Sequence, residues 1–359
     1  MKKRIIGMIM AAMMLTTACG STQQGADTAS DTVKESTEMT ETAVAETESS
    51  GTTEEAEDAK GGKAGGPMSG GGGMGADKSG DEELQTMLSE TLDKFSQAEY
   101  TDEETGLTVP YNIYLPENYD ESKSYPMVVF IGDMTTVGTD MERPLTQGWG
   151  GVVWATASEQ EKHESIVLVP TYPETIIDDH GGLTITDYVD LTPRMIASVA
   201  EKYNADTDRI YGTGQSMGAM TTLYLAANNP DLYAAVLIVD GQWDVNEIKG
   251  IENVNMIYVA AGGDEKAYEG QQEVKALFDA DGVSYSEVSG LDAQAERSGL
   301  EETVSAMLDE GKGLNFITWE AGTVLADGGS SEGAGEHMAS FDYGYKLSTV
   351  RDWLFSKTK

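Results

Sequence analysis

Ser216 stands between two glycines in Gly214-Gln215-Ser216-Met217-Gly218, directly behind the short apolar stretch Ile210-Tyr211. A serine hydroxyl becomes a useful nucleophile only when a base takes its proton and a third group orients that base. The chain holds 3 histidines, His163, His180 and His337, so the search for the base is short. His163 lies in a polar segment before an apolar run and reads as a surface residue, and His180 sits in a loop, Asp178-Asp179-His180-Gly181-Gly182, that could line the mouth of a site. For the orienting acid, Asp264 in Val259-Ala260-Ala261-Gly262-Gly263-Asp264-Glu265 follows an apolar run into a glycine turn, with Asp240, behind Ala235 to Val239, as the runner-up. The five-residue serine pattern is weak by itself, because Gly329-Ser330-Ser331-Glu332-Gly333 matches it too.

What separates the two serines is the structure expected around them. Met127 to Ile131 and Ile166 to Val169 are continuous apolar runs, and runs apolar on both faces suit strands covered by helices on both sides. Further strands are expected at Thr108–Leu115, Arg209–Tyr211, Ala235–Val239, Met256–Ala260 and Phe316–Trp319. Helical spacing marks Asp81–Ser96, Leu191–Tyr203, Met217–Asn228, Gln271–Ala280 and Tyr343–Phe355. Strands alternating with helices predict an α/β fold, a doubly wound and mostly parallel sheet with helices on both faces. Such sheets bind ligands beyond the carboxyl ends of their strands, which is where Ser216 would stand, on a turn from strand to helix. Ser331 lies in a Gly/Ser-rich stretch with no strand before it and reads as chance. Trp149, Trp154 and Trp243 read as core residues, and the long loop from Thr171 to Asp187 as a wall of the site.

The first residues are expected to lie outside this fold. Lys2, Lys3 and Arg4 precede an apolar run from Ile5 to Leu15, which Ala18-Cys19 closes, the pattern of a secretory signal and too short for a comfortable membrane span. Cys19, the 1 cysteine in the chain, sits where a bacterial lipoprotein carries its lipid, although Leu15 stands one place further from it than the usual lipobox has. Residues 20–80, rich in Thr, Ser, Glu and Gly, read as a flexible tether, leaving 81–359 as the globular domain. The reading is therefore an extracytoplasmic protein, lipid-anchored to the cell membrane at Cys19. A formal net charge of -39 excludes nucleic acid as a partner and suits solubility outside the cell.

From Tyr111 onward the chain resembles the α/β-hydrolase superfamily, and in particular the secreted esterases related to polyhydroxybutyrate depolymerase and feruloyl esterase, often labelled predicted peptidases. The resemblance is carried by Tyr114-Leu115-Pro116-Glu117-Asn118-Tyr119, by Tyr125 to Phe130, by Asp208-Arg209-Ile210-Tyr211 running into Gly212 to Gly218, and by His337 ahead of a helix ending in Trp353-Leu354-Phe355. It implies the order serine, acid, histidine, which leaves His337 as the base to the nucleophile Ser216, with Asp264 the first candidate for the acid and Asp240 still the runner-up. It further implies an oxyanion hole built from the N–H of Met217 and a backbone N–H of the loop after Ile131, most simply that of Met134, with no cofactor and no metal. The family has a His-Gly pair in that loop where this chain has Gly132-Asp133, and a carboxylate there would oppose a developing oxyanion unless it points away. The expected function is a serine carboxylic-ester hydrolase acting on a small-molecule or polymer-derived ester. The alternatives are a peptidase of the prolyl oligopeptidase class and a non-catalytic binding lipoprotein on a hydrolase scaffold.

Overall fold

The computed structural model describes residues 78–325 and 335–359, which fall in one compact unit, Ser69–Lys359. The signal segment, Cys19, nearly all of the tether and Ser331 lie outside the described residues. In chain order the strands are β1 (Ser96–Thr101), β2 (Thr108–Tyr114), β3 (Tyr125–Ile131), β4 (Ile166–Pro170), β5 (Ile177–Asp178), β6 (Thr184–Ile185), β7 (Ala205–Gln215), β8 (Ala235–Val239), β9 (Met256–Ala261), β10 (Ser286–Leu291) and β11 (Leu314–Trp319). The helices are α1 (Glu82–Thr91), α2 (Arg143–Thr146), α3 (Trp149–Val152), α4 (Ala157–Lys162), α5 (Asp187–Lys202), α6 (Met217–Asn228), α7 (Glu265–Asp281), α8 (Arg297–Leu308), α9 (Gly335–Ser340), α10 (Tyr343–Lys346) and α11 (Ser348–Phe355). β5 and β6 form a small hairpin.

The other strands make a 9-stranded sheet in the order β1-β2-β4-β3-β7-β8-β9-β11-β10. β1 and β2 are antiparallel to their neighbours, and every pairing from β4 across to β10 is parallel. The apolar runs explain the layering. Successive side chains of a strand point to opposite faces, so Met127, Val129 and Ile131 of β3 join one core with α5, α6 and α7. Val128 and Phe130 of the same strand join a second core with α1, α3, α8 and α11. β8 and β9 divide their residues between the two cores in the same way. This is the α/β-hydrolase fold expected from the sequence. Among the described residues no helix is long and apolar enough to cross a membrane.

The elements that differ from expectation lie at the margins. β1 and β10 are edge strands with largely exposed, polar sequences, so neither carries an apolar run. The helix expected from Asp81 ends at Thr91, followed by one 3₁₀ turn, Leu92–Lys94, before β1 begins. The closing helix is broken at the extended residue Leu347 into α10 and α11. β7 is much longer than its apolar stretch, because its pairing with β3 and β8 carries it to Gln215, the residue before the serine.

Candidate active site

Ser216 occupies the one-residue turn from β7 to α6, with φ 50° and ψ -118°, a conformation that costs a non-glycine residue free energy and must be imposed by its surroundings. Its N–H donates to the Val239 carbonyl and its own carbonyl accepts from Met220 N–H, so both neighbours of the turn hold it. The flanking glycines are required by close approach. A Cβ at Gly218 would stand 1.8 Å from the Ile131 carbonyl oxygen, and one at Gly214 would stand 2.4 Å from the backbone of Gly218. Strand β3, strand β7 and helix α6 can therefore meet at this point only without side chains, and the meeting lifts Ser216 above the carboxyl ends of the strands.

His337, on the short helix α9, and Asp264, on the turn after β9, complete a hydrogen-bonded chain with the serine. His337 Nε2 is 2.8 Å from Ser216 Oγ, and Nδ1 is 2.5 Å from Asp264 Oδ2. An ionised carboxylate only accepts, so Nδ1–H donates to Asp264 and leaves Nε2 free to accept from the serine hydroxyl. Asp264 is itself fixed as the N-cap of α7, where Oδ1 accepts from Ala267 N–H at 3.3 Å. Burial acts against the charged imidazolium, but the hydrogen bond and charge of Asp264, with the charge of Asp133, outweigh it and hold His337 above the usual histidine pKa.

The N–H of Met217 is the first of α6, and that of Met134 is the first of the 3₁₀ turn Met134–Thr136, so neither has a carbonyl partner inside its own helix. Asp133 does not present its carboxylate as a bare charge. It is buried, Oδ1 accepts from Thr135 N–H at 2.7 Å, and Oδ2 accepts from Gln215 Nε2 at 3.0 Å and from Gln147 Nε2. The loop that departs from the family pattern is thus tied to Gln215, the residue directly before the serine. Sequence reasoning missed this network; Gln215 was in plain view in the motif, but nothing connected it to Asp133 or Gln147.

Ser216, His337 and Asp264 open on a cavity of about 540 Å3, whose walls also include Met134, Met220, His180 and Lys266. A hollow of similar size, about 600 Å3 between Lys94, Tyr114 and Glu164, contains none of the three and belongs to another part of the surface. The loop from Thr171 to Asp187 does form a wall, through Asp179 and His180. Asp179 accepts from Gln242 Nε2 at 2.7 Å and pairs with Lys266 Nζ at 2.9 Å. His180 is exposed and bonds Asp178 at 2.6 Å, at the cavity mouth and not in the chain of proton-bearing groups. His163 is more than a surface residue: it bonds Asp352 at 2.7 Å and stacks on Phe355 at 4.3 Å, docking the end of α4 on α11. Trp149, Trp154 and Trp243 are all buried and stand outside the cavity. Among the described residues, two groups have the spacing of metal ligands, Asp178-Asp179-His180 and Glu159-His163-Asp352, and both already hold cationic partners, Lys266 in the first and Arg351 with Lys162 in the second.

Fold and site together define an α/β-hydrolase with a serine, a histidine and an aspartate hydrogen-bonded at the carboxyl ends of its strands. The model of the prolyl oligopeptidase family matches residues 171–290. Acetylxylan esterase A of Aspergillus awamori is 29% identical over 139 residues, 36% of this chain and 41% of the relative. That of Aspergillus ficuum is 26% identical over 168 residues, 42% of this chain and 50% of the relative. The chain thus spans half or less of the length of the curated relatives it matches. Among solved structures, a thermostable esterase superposes with a TM-score of 0.55 at 23% identity, covering 74% of this chain and 64% of that one, which supports the fold.

Proposed function

We propose that the chain is a serine carboxylic-ester hydrolase. The observation that carries the reading is the continuous hydrogen-bonded chain Ser216–His337–Asp264 at the wall of a cavity, with the serine on a strained turn at a helix start. In this reading His337 Nε2 takes the Ser216 proton as Oγ bonds to the ester carbonyl carbon, and the carbonyl oxygen becomes an oxyanion facing the N–H groups of Met217 and Met134. The imidazolium then gives that proton to the departing alkoxide and leaves an acyl-serine. Water, deprotonated by the same nitrogen, breaks the acyl bond and returns the enzyme. Asp264 keeps the tautomer and stabilises the imidazolium throughout.

The similarity to acetylxylan esterases favours a short acyl group on a sugar polymer as substrate. The match to the prolyl oligopeptidase family favours a second reading, amide cleavage by the same residues. Hydrolysis of acetylated xylan and nitrophenyl acetate measured beside prolyl anilides decides between them: an ester preference of at least about a hundredfold in kcat/KM supports the first. An amide preference replaces it with the second. A non-catalytic lipoprotein drew its support from the altered oxyanion loop, and the pairing of Asp133 with Gln215, Gln147 and Thr135 weakens that support. We place the enzyme outside the cytoplasm, lipid-anchored at Cys19 and held off the membrane by residues 20–80, where a polymeric ester is within reach.

A further inference from the structure

Asp240 is the runner-up acid that the proposed reaction does not use. It directly follows β8, is fully buried, and has a left-handed backbone (φ 44°) that only a fixed environment holds for a non-glycine residue. Its Oδ1 accepts from Ala261 N–H at 2.7 Å. Its Oδ2 lies 2.6 Å from Ser340 Oγ, and the same Oγ lies 2.9 Å from the main-chain carbonyl of His337.

Counting hydrogens decides what these contacts are. A serine hydroxyl has one hydrogen, a carbonyl has none and an ionised carboxylate has none. With Asp240 ionised, two short oxygen–oxygen contacts would share a single hydrogen, and one of them would set acceptor against acceptor in a buried site. With a proton on Oδ2, Asp240 donates to Ser340 Oγ, Ser340 donates to the His337 carbonyl, and both contacts are hydrogen bonds. We infer that Asp240 is a neutral, proton-donating acid and a positioning residue, which holds the main chain of His337 through Ser340.

The groups facing Asp240 agree. From the turn after β9 comes the Asp264 carboxylate, from α9 His337, from β9 Tyr258 and from α10 Tyr345. The Tyr258 hydroxyl is already used as a donor to the Gly241 carbonyl at 2.5 Å. Burial, and next the charge of Asp264, push the Asp240 carboxyl up to about 7, with Ala261 N–H and His337 offsetting only part of the rise. Two neighbouring carboxyl groups thus take different roles, one bonded to the imidazole ring and one holding its proton behind the histidine backbone. The folded chain keeps a proton that the unfolded chain releases near about pH 4. The stability that Asp240 contributes therefore falls as pH rises from there to about 7, and is level above.

The effect on rate rests on the hydrolase reading, whereas the protonation does not, and the test separates them. Infrared difference spectra of the full chain, followed from about pH 5 to about pH 9, should show the carbonyl band of a protonated carboxylic acid disappearing with a midpoint near about 7. The band should be absent from Asp240→Asn and displaced in Ser340→Ala, which lacks its acceptor. Asp240→Asn can still donate to Ser340 and accept from Ala261, so its kcat should stay within about threefold of wild type, while Asp240→Ala loses about ten- to a hundredfold. If the wild type shows no such band, or if Asp240→Asn is as impaired as Asp240→Ala, the inference is overturned. Should Asp240→Asn fail to fold, an unchanged band in Ser340→Ala overturns it equally. A wild type that turns over no ester counts against the hydrolase reading and leaves the band, which needs no substrate, to decide the protonation.

Discussion

At the residue scale, the proposed hydrolysis depends on which nitrogen of His337 carries hydrogen. The Asp264 carboxylate fixes the hydrogen on Nδ1 and so exposes the lone pair of Nε2 to Ser216. Asp264→Asn would donate to Nδ1 and reverse the tautomer, and kcat for ester hydrolysis should fall by about 10⁴-fold with the fold intact by circular dichroism. The same carboxylate sets a pH dependence. A base must be neutral to take a proton, and the His337 pKa lies above the usual histidine value of about 6.5. The acidic limb of kcat/KM should therefore have an apparent pKa above about 6.5, and a limb below about 6 would contradict the assignment. These residues were legible in the sequence for unequal reasons. Ser216 was marked by its glycines, His337 by scarcity, and Asp264 by the strand before it. The contacts of Asp133 with Gln147 and Gln215, separated by 14 and 82 residues in the chain, left no local pattern to read.

At the element scale, the site depends on how closely β3, β7 and α6 approach. Gly218→Ala would drive a Cβ into the Ile131 carbonyl, a backbone atom with nowhere to move, and should lower unfolding free energy by about 3 kcal/mol or more in urea titration. The loop after β3 is held to the end of β7 by Gln215 and Asp133. Gln215→Ala should loosen the N–H of Met134 and lower kcat by about tenfold with KM little changed, as measured by steady-state ester kinetics. The central strands could be read from sequence because strands buried on both faces are continuously apolar, as at β3, β4, β8 and β9. β1 and β10 escaped because an edge strand exposes one side and carries polar residues there, and the break between α10 and α11 escaped because Leu347 itself continues the apolar spacing.

At the scale of the whole molecule, a strongly acidic chain with a net charge of -39 is suited to neutral or cationic ligands and repels polyanions. The cavity walls repeat this balance, lined by Asp179, Glu265 and Glu336 as well as Lys266. The proposed attachment through Cys19 gives a separate expectation: Cys19→Ser should lose metabolic incorporation of a labelled fatty acid and move from the membrane fraction to the medium, with kcat of the domain unchanged. Retention of the label in that variant would show that Cys19 is not the lipidated residue.

The most direct measurement of the central claim is covalent labelling of the full chain by a fluorophosphonate, followed by intact mass. One label per chain, lost in Ser216→Ala and suppressed in His337→Ala, is the result expected of a nucleophile activated by that histidine. Equal labelling of Ser216→Ala, or none in the wild type, would contradict it.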